Sequence, residues 1–125
     1  MKRLDDTRFI MGAINGVGEA EDGTALEMDV TGINYAITTI EDFHKKYPNQ
    51  PIIGAENNST LSTRGCYATD MEKKVLACYD EERGRWGQTA RETWEIFRDK
   101  PYISGMFTWT GFDYRGDPTP FQYPA

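Results

Sequence analysis

The sequence predicts an α/β fold of four parallel strands joined by crossover connections, two of them helical. Three observations lead there. Four short, apolar, β-prone runs recur along the 125 residues. None keeps the strict apolar–polar alternation of a sheet with one wet face, so each reads as a strand covered on both sides. Amphipathic stretches of helical period separate the later runs. The runs also close on residues that carry chemistry, which is where the working rim of a parallel sheet lies.

The first run is Phe9-Ile10-Met11-Gly12-Ala13-Ile14, followed by a Gly-rich, acidic loop from Asn15 to Thr24. The second is Met28-Asp29-Val30-Thr31-Gly32-Ile33-Asn34-Tyr35. A helix should come next, capped by Thr38 or Thr39, with Glu41 and Asp42 in the first turn where the helix dipole favours negative charge. Ile40, Phe43 and Tyr47 fall on one face of it, and Pro48 ends it. The third run, Pro51-Ile52-Ile53-Gly54-Ala55, closes at Glu56, and a long loop beginning Asn57-Asn58-Ser59-Thr60 follows. A second helix is expected over residues 88–98, with Ala90, Trp94 and Phe97 as its apolar stripe. The fourth run spans residues 102–109, from Tyr102 to Trp109; beyond it the chain is turn-rich, with Gly111, Gly116, Pro118 and Pro120. Connections of this kind between parallel strands are right-handed.

Charge and composition exclude several function classes. Lys and Arg number 14 against 20 Asp and Glu, a net charge of −6. Nucleic acid is therefore not an expected partner, because phosphate binding needs clustered cations. No apolar run approaches the ~18 residues of a membrane span, and Asp5 and Asp6 fall where a signal peptide would need its apolar stretch. The length suits one domain, so residues 1–125 are read as a single unit. Cys66 and Cys78 read as two free, half-buried thiols, or else as one disulfide closing a short loop. With a lone histidine, His44, and no CxxC, no metal or cofactor is expected.

The strand ends bring together Asn15, Asn34, Tyr35, Glu56 and Trp109: two amides, a phenol, a carboxylate and an indole. That set suits a sugar, whose hydroxyls bond carboxylates and amides and whose C–H face stacks on an indole. Glu56 is the sharpest candidate. A carboxylate fixed at the mouth of a buried strand can attack an anomeric carbon. The phenol of Tyr35, one strand away, has the reach to donate to it and orient it. The blander alternative has Glu56 capping the next turn or meeting Arg64, Tyr35 as an ordinary amphipathic rim residue, and Trp109 in the core.

These residues sit within longer segments that resemble glycoside hydrolase family 2, most closely its β-galactosidases. Pro51-Ile52-Ile53-Gly54-Ala55-Glu56, with Ser59, Thr63-Arg64-Gly65 and Tyr67, is similar to the family's nucleophile segment. Gly105-Met106-Phe107-Thr108-Trp109-Thr110-Gly111-Phe112-Asp113-Tyr114-Arg115-Gly116-Asp117-Pro118 resembles its final barrel strand and following loop. Asp6-Thr7-Arg8 looks like the lead-in to its fifth strand, and residues 29–35 like the sixth. The resemblance implies a partial TIM barrel, strands five to eight of a (β/α)8 catalytic domain, and retaining hydrolysis of a β-linked galactoside or oligosaccharide. It implies Glu56 as nucleophile, Tyr35 as the phenol that orients it, and Trp109, Asn34 and Asp113 as substrate-binding residues.

The family's general acid/base is the Glu of an Asn-Glu pair on an earlier strand, and this sequence has no such pair. Glu19, Glu21 and Glu27 lie near the first loop without that motif. Retaining hydrolysis needs two carboxyl groups about 5–5.5 Å apart, so the isolated chain is expected to be inactive. A half barrel also exposes two strand edges, which predicts a homo-oligomer. A second function class remains open at this stage: a non-catalytic carbohydrate-binding or interaction module in which Trp109, Phe112 and Tyr114 stack on sugars.

Overall fold

The computed structural model describes residues 2–16 and 23–112. Strands β1 (Met11–Asn15), β2 (Val30–Asn34), β3 (Ile52–Asn58) and β4 (Ile103–Trp109) form one sheet in the order β1-β2-β3-β4, with every neighbouring pair parallel. Helix α1 (Ile40–Lys46) joins β2 to β3, and α2 (Ala90–Arg98) joins β3 to β4. The β1–β2 connection carries a 3₁₀ turn, Thr24–Glu27, which starts where the stretch read as loop ends. A doubly wound sheet would reverse its strand order at a switch point. Here each strand is added on the same side of its predecessor, which is how a barrel wall is built.

The core lies between this sheet and its outer layer. Ile14, Ile33 and Ile52 meet Ala25, Ile37, Ile40, Phe43 and Phe97 there. On α1 the anticipated stripe holds: Ile40 and Phe43 are buried, and Tyr47 packs half-buried with its ring 5.1 Å from that of Phe43. Glu41 and Asp42 occupy the first turn and His44, Lys45 and Lys46 the last, matching the helix dipole at both ends. The helix stops at Tyr47, since a residue preceding proline is disfavoured in helical conformation. Its start differs from expectation. Thr39 holds the cap position, but its hydroxyl donates to the Ala36 carbonyl at 2.9 Å, because a 3₁₀ turn, Ile37–Thr39, already leads into the helix.

Several strand boundaries, those of β1 and β3 most, and one helix face also depart from the sequence reading. The ladder of β1 begins at Met11, leaving Phe9 84% exposed. The Asp29 carboxylate takes the Ile10 N–H at 2.8 Å, and the Ile10 carbonyl turns back to accept from the Asp29 N–H. Strand β3 runs past Glu56 to Asn58. On α2 the buried residues are Thr93 and Phe97, with Ile96 packed beside them, whereas Ala90 and Trp94 face solvent; Trp94 is 56% exposed.

The cause is at Gly54. A Cβ there would come within 2.8 Å of the Phe97 ring, so the bare backbone is the seat that fixes the rotation of the helix. A capping box between Thr89 and Glu92 fixes its start. His44 stacks on Tyr102 with ring centroids 3.8 Å apart, a packing role. Cys66 and Cys78 are both free and half-buried.

Candidate active site

The carboxyl rim is organised by an irregularity in β3. Ile33 pairs with Gly54, but the next residue, Asn34, pairs with Glu56, leaving Ala55 as an extra residue. Because side chains alternate along a strand, this bulge exchanges which face Glu56 presents and sets it level with Asn34. Tyr35 follows immediately in left-handed backbone, φ 54°, and its N–H donates to the Glu56 carbonyl at 3.1 Å. The side chains then meet as well: the Tyr35 hydroxyl donates to Glu56 Oε1. The same hydroxyl lies 2.9 Å from Ser59 Oγ. Asn58 and Ser59 are also left-handed, φ 84° and 47°, and they turn the chain off β3 so that Ser59 comes back towards the phenol. Three non-glycine residues in this conformation within one cluster is uncommon, and such strain concentrates at functional sites.

Burial pushes the Tyr35 phenol up to about 12, and the hydrogen bond to Glu56 adds to the rise, while the Ser59 hydroxyl and the Trp86 indole act in the opposite direction. At neutral pH the phenol is therefore a neutral donor to the carboxylate. Asn34 Nδ2 donates to Asn15 Oδ1 at 3.1 Å, linking the rims of β1 and β2. The buried oxygens Asn34 Oδ1 and Asn58 Oδ1 accept no hydrogen bond among the described residues. Trp109 ends β4 opposite Asn58, two residues beyond Glu56 on the neighbouring strand, and is 45% exposed.

The residues singled out at the strand ends thus share one rim, and Tyr35 and Glu56 are in direct contact. Asp113 and Tyr114 lie outside the described residues, as do Glu19 and Glu21. Glu27 is exposed and precedes β2, at the end of the sheet opposite Glu56, so it does not face this carboxylate. Among the described residues no group of three or more His, Cys, Asp and Glu side chains could hold a metal ion. No helix among them is long and apolar enough to cross a membrane.

Sequence reasoning reached Ser59 only as part of the resemblance and passed over Trp86. The available signal was the pair of glycines around Trp86: Gly87 lets the backbone close on Asn58, and Gly84 leaves room for the Trp86 ring.

Fold and rim together define a class: a stretch of parallel β/α wall with its polar chemistry on the carboxyl ends of the strands. Comparison with known proteins sharpens it. The whole chain aligns with a β-galactosidase of Bacteroides ovatus whose name places it in glycoside hydrolase family 2, at 34% identity over 145 positions, covering 100% of this chain and 17% of that protein. A Formosa agariphila protein designated a β-glucuronidase is 59% identical over 48 residues, 38% of this chain and 4% of its own length.

Two solved structures share the fold at 22% identity. A calcium-binding mutant of Bacteroides uniformis β-glucuronidase 2 superposes with a TM-score of 0.57 over 91% of this chain and 14% of its own. A β-glucuronidase of the same organism gives 0.52, over 86% and 14%. No family profile matches the chain. The chain belongs to glycoside hydrolase family 2 as a segment of it, spanning about one-sixth of the length of the B. ovatus relative.

Proposed function

We propose that this chain is strands five to eight of a family 2 catalytic barrel, and that Glu56 is the nucleophile of a retaining β-glycosidase acting on terminal β-D-galactosides. The observation that carries the reading is the Tyr35 hydroxyl donating to Glu56 Oε1 at the carboxyl rim of a parallel sheet. Glu56 forms a bond to the anomeric carbon as the glycosidic C–O bond breaks. The departing oxygen takes its proton from a second carboxyl group, and water later hydrolyses the glycosyl-enzyme. Tyr35 holds the attacking carboxylate in line. Trp109 offers its indole to the sugar's C–H face, and Asn34, level with Glu56 on the same rim, is a substrate-binding residue. Asp113 completes the substrate-binding set. Galactose is preferred over glucuronic acid because the relative that aligns end to end is named a β-galactosidase.

The second carboxyl group belongs to the half of the barrel that this segment does not include. Without it, general-acid assistance of about 10²–10⁴-fold is lost, together with most of the contacts that position the sugar. The test is nucleophile replacement in a protein carrying the complete catalytic domain. Glu56→Ala should abolish hydrolysis of an aryl β-galactoside, and added azide should restore turnover to give the α-galactosyl azide. A variant that keeps its activity, or that yields no azide adduct while folded, would remove Glu56 from that role.

A further inference from the structure

We propose that Ser59 is a positioning residue for this reaction, clasped in place by the 84–87 segment so that the single proton of Tyr35 is committed to Glu56. The inference rests on the reading of Glu56 as nucleophile. A phenol has one proton and two acceptor lone pairs. Tyr35 spends its proton on Glu56 Oε1, so the contact at 2.9 Å to Ser59 must run from the serine hydroxyl to the phenolic oxygen. Ser59 is 6% exposed, so its hydroxyl has little water to turn to. A donor on the far side of the phenol closes the alternative in which Tyr35 rotates and bonds elsewhere, leaving the carboxylate unsteadied.

The geometry around Ser59 looks built for this. The Gly84 N–H donates to the Ser59 carbonyl at 2.9 Å, and Thr60 and Arg83 form an antiparallel bridge beside it. Gly87 presses so closely on the preceding residue that a Cβ would sit 2.0 Å from the Asn58 carbonyl oxygen. Between those two glycines stands Trp86, whose ring a Cβ on Gly84 would meet at 2.9 Å and whose indole opposes the rise of the Tyr35 phenol. The returning end of a long excursion thus holds the serine against Tyr35.

In the protein carrying the complete catalytic domain, the rate of Glu56 trapping by 2-deoxy-2-fluoro-β-galactosyl fluoride is measured for the wild type, Ser59→Ala, Tyr35→Phe and the double variant. Ser59→Ala should slow trapping roughly tenfold, the equivalent of one hydrogen bond. In the Tyr35→Phe background the same change should alter the rate less than about twofold, since the serine acts only through the phenol. Wild-type trapping in Ser59→Ala, or an equal loss in both backgrounds, overturns the proposal.

A second measurement uses the 125-residue chain and is independent of glycosidase chemistry. Acetylation of Tyr35 by N-acetylimidazole, mapped by mass spectrometry, should speed up several-fold in Ser59→Ala, with exposed Tyr67 as the internal standard. An unchanged rate overturns the clasp. Absence of trapping in the wild-type enzyme alongside faster acetylation in Ser59→Ala would instead sink the nucleophile reading and leave the clasp standing.

Discussion

Replacing Tyr35 by Phe gives a direct readout of the pair at the rim. Burial and the adjoining carboxylate hold the Tyr35 phenol up to about 12. At pH 11 it should then be roughly one-tenth ionised, whereas a tyrosine of ordinary pKa near 10 would be roughly nine-tenths ionised. The chain has seven tyrosines, so subtracting the 295 nm titration of Tyr35→Phe from that of the wild type isolates one of them. The difference curve should stay flat to about pH 11 and rise beyond it, with circular dichroism establishing that the chain is still folded. Stability follows with a definite sign. The folded pKa lies above the unfolded one, so the contribution is complete below about pH 10 and is lost as the pH climbs towards 12. The wild type should therefore lose stability relative to Tyr35→Phe across that alkaline window. A difference curve centred near pH 10 would refute the argument, because it would mean that Tyr35 is neither buried nor bonded to Glu56 in solution.

Three further outcomes follow from the packing and the edges. Phe97→Ala should cost about 3–5 kcal/mol in urea unfolding, since it empties the seat over Gly54, while Trp94→Ala on the exposed flank of α2 should cost less than about 1 kcal/mol. The sheet leaves β1 and β4 as edges, with Met11 43% and Phe107 59% exposed upon them, so light scattering at low micromolar concentration should find an oligomer rather than a monomer. Rigorously purified 125-residue protein should not turn over nitrophenyl β-galactoside; hydrolysis that vanishes in Glu56→Gln would mean that the segment carries its own acid.

The strands were readable in the sequence because short apolar runs without strict alternation mark parallel strands, although here only one face of the sheet is packed and β1 and β4 stay largely exposed. The contents of the rim were readable for a related reason: parallel strands place their last residues together, so the sequence alone pairs Glu56 with Tyr35. What escaped was set by distant contacts. The stripe through Trp94 and the face through Thr93 and Ile96 are both compatible with the apolar residues of α2, and only a missing side chain at Gly54, on another element, selects between them. The bulge at Ala55 leaves no mark in a run of small and apolar residues, although it decides which face Glu56 presents. Ser59 meets Tyr35 only once the excursion has folded back on Asn58, a contact between residues 24 positions apart.

The central claim is that the carboxylate held by Tyr35 forms the covalent bond to the sugar. A protein carrying the complete catalytic domain, inactivated with 2-deoxy-2-fluoro-β-galactosyl fluoride and digested for mass spectrometry, tests it most directly. The account predicts one fluoroglycosyl group per chain, on the peptide containing Glu56. A label on any other carboxylate, or binding that dialysis reverses completely, would contradict it.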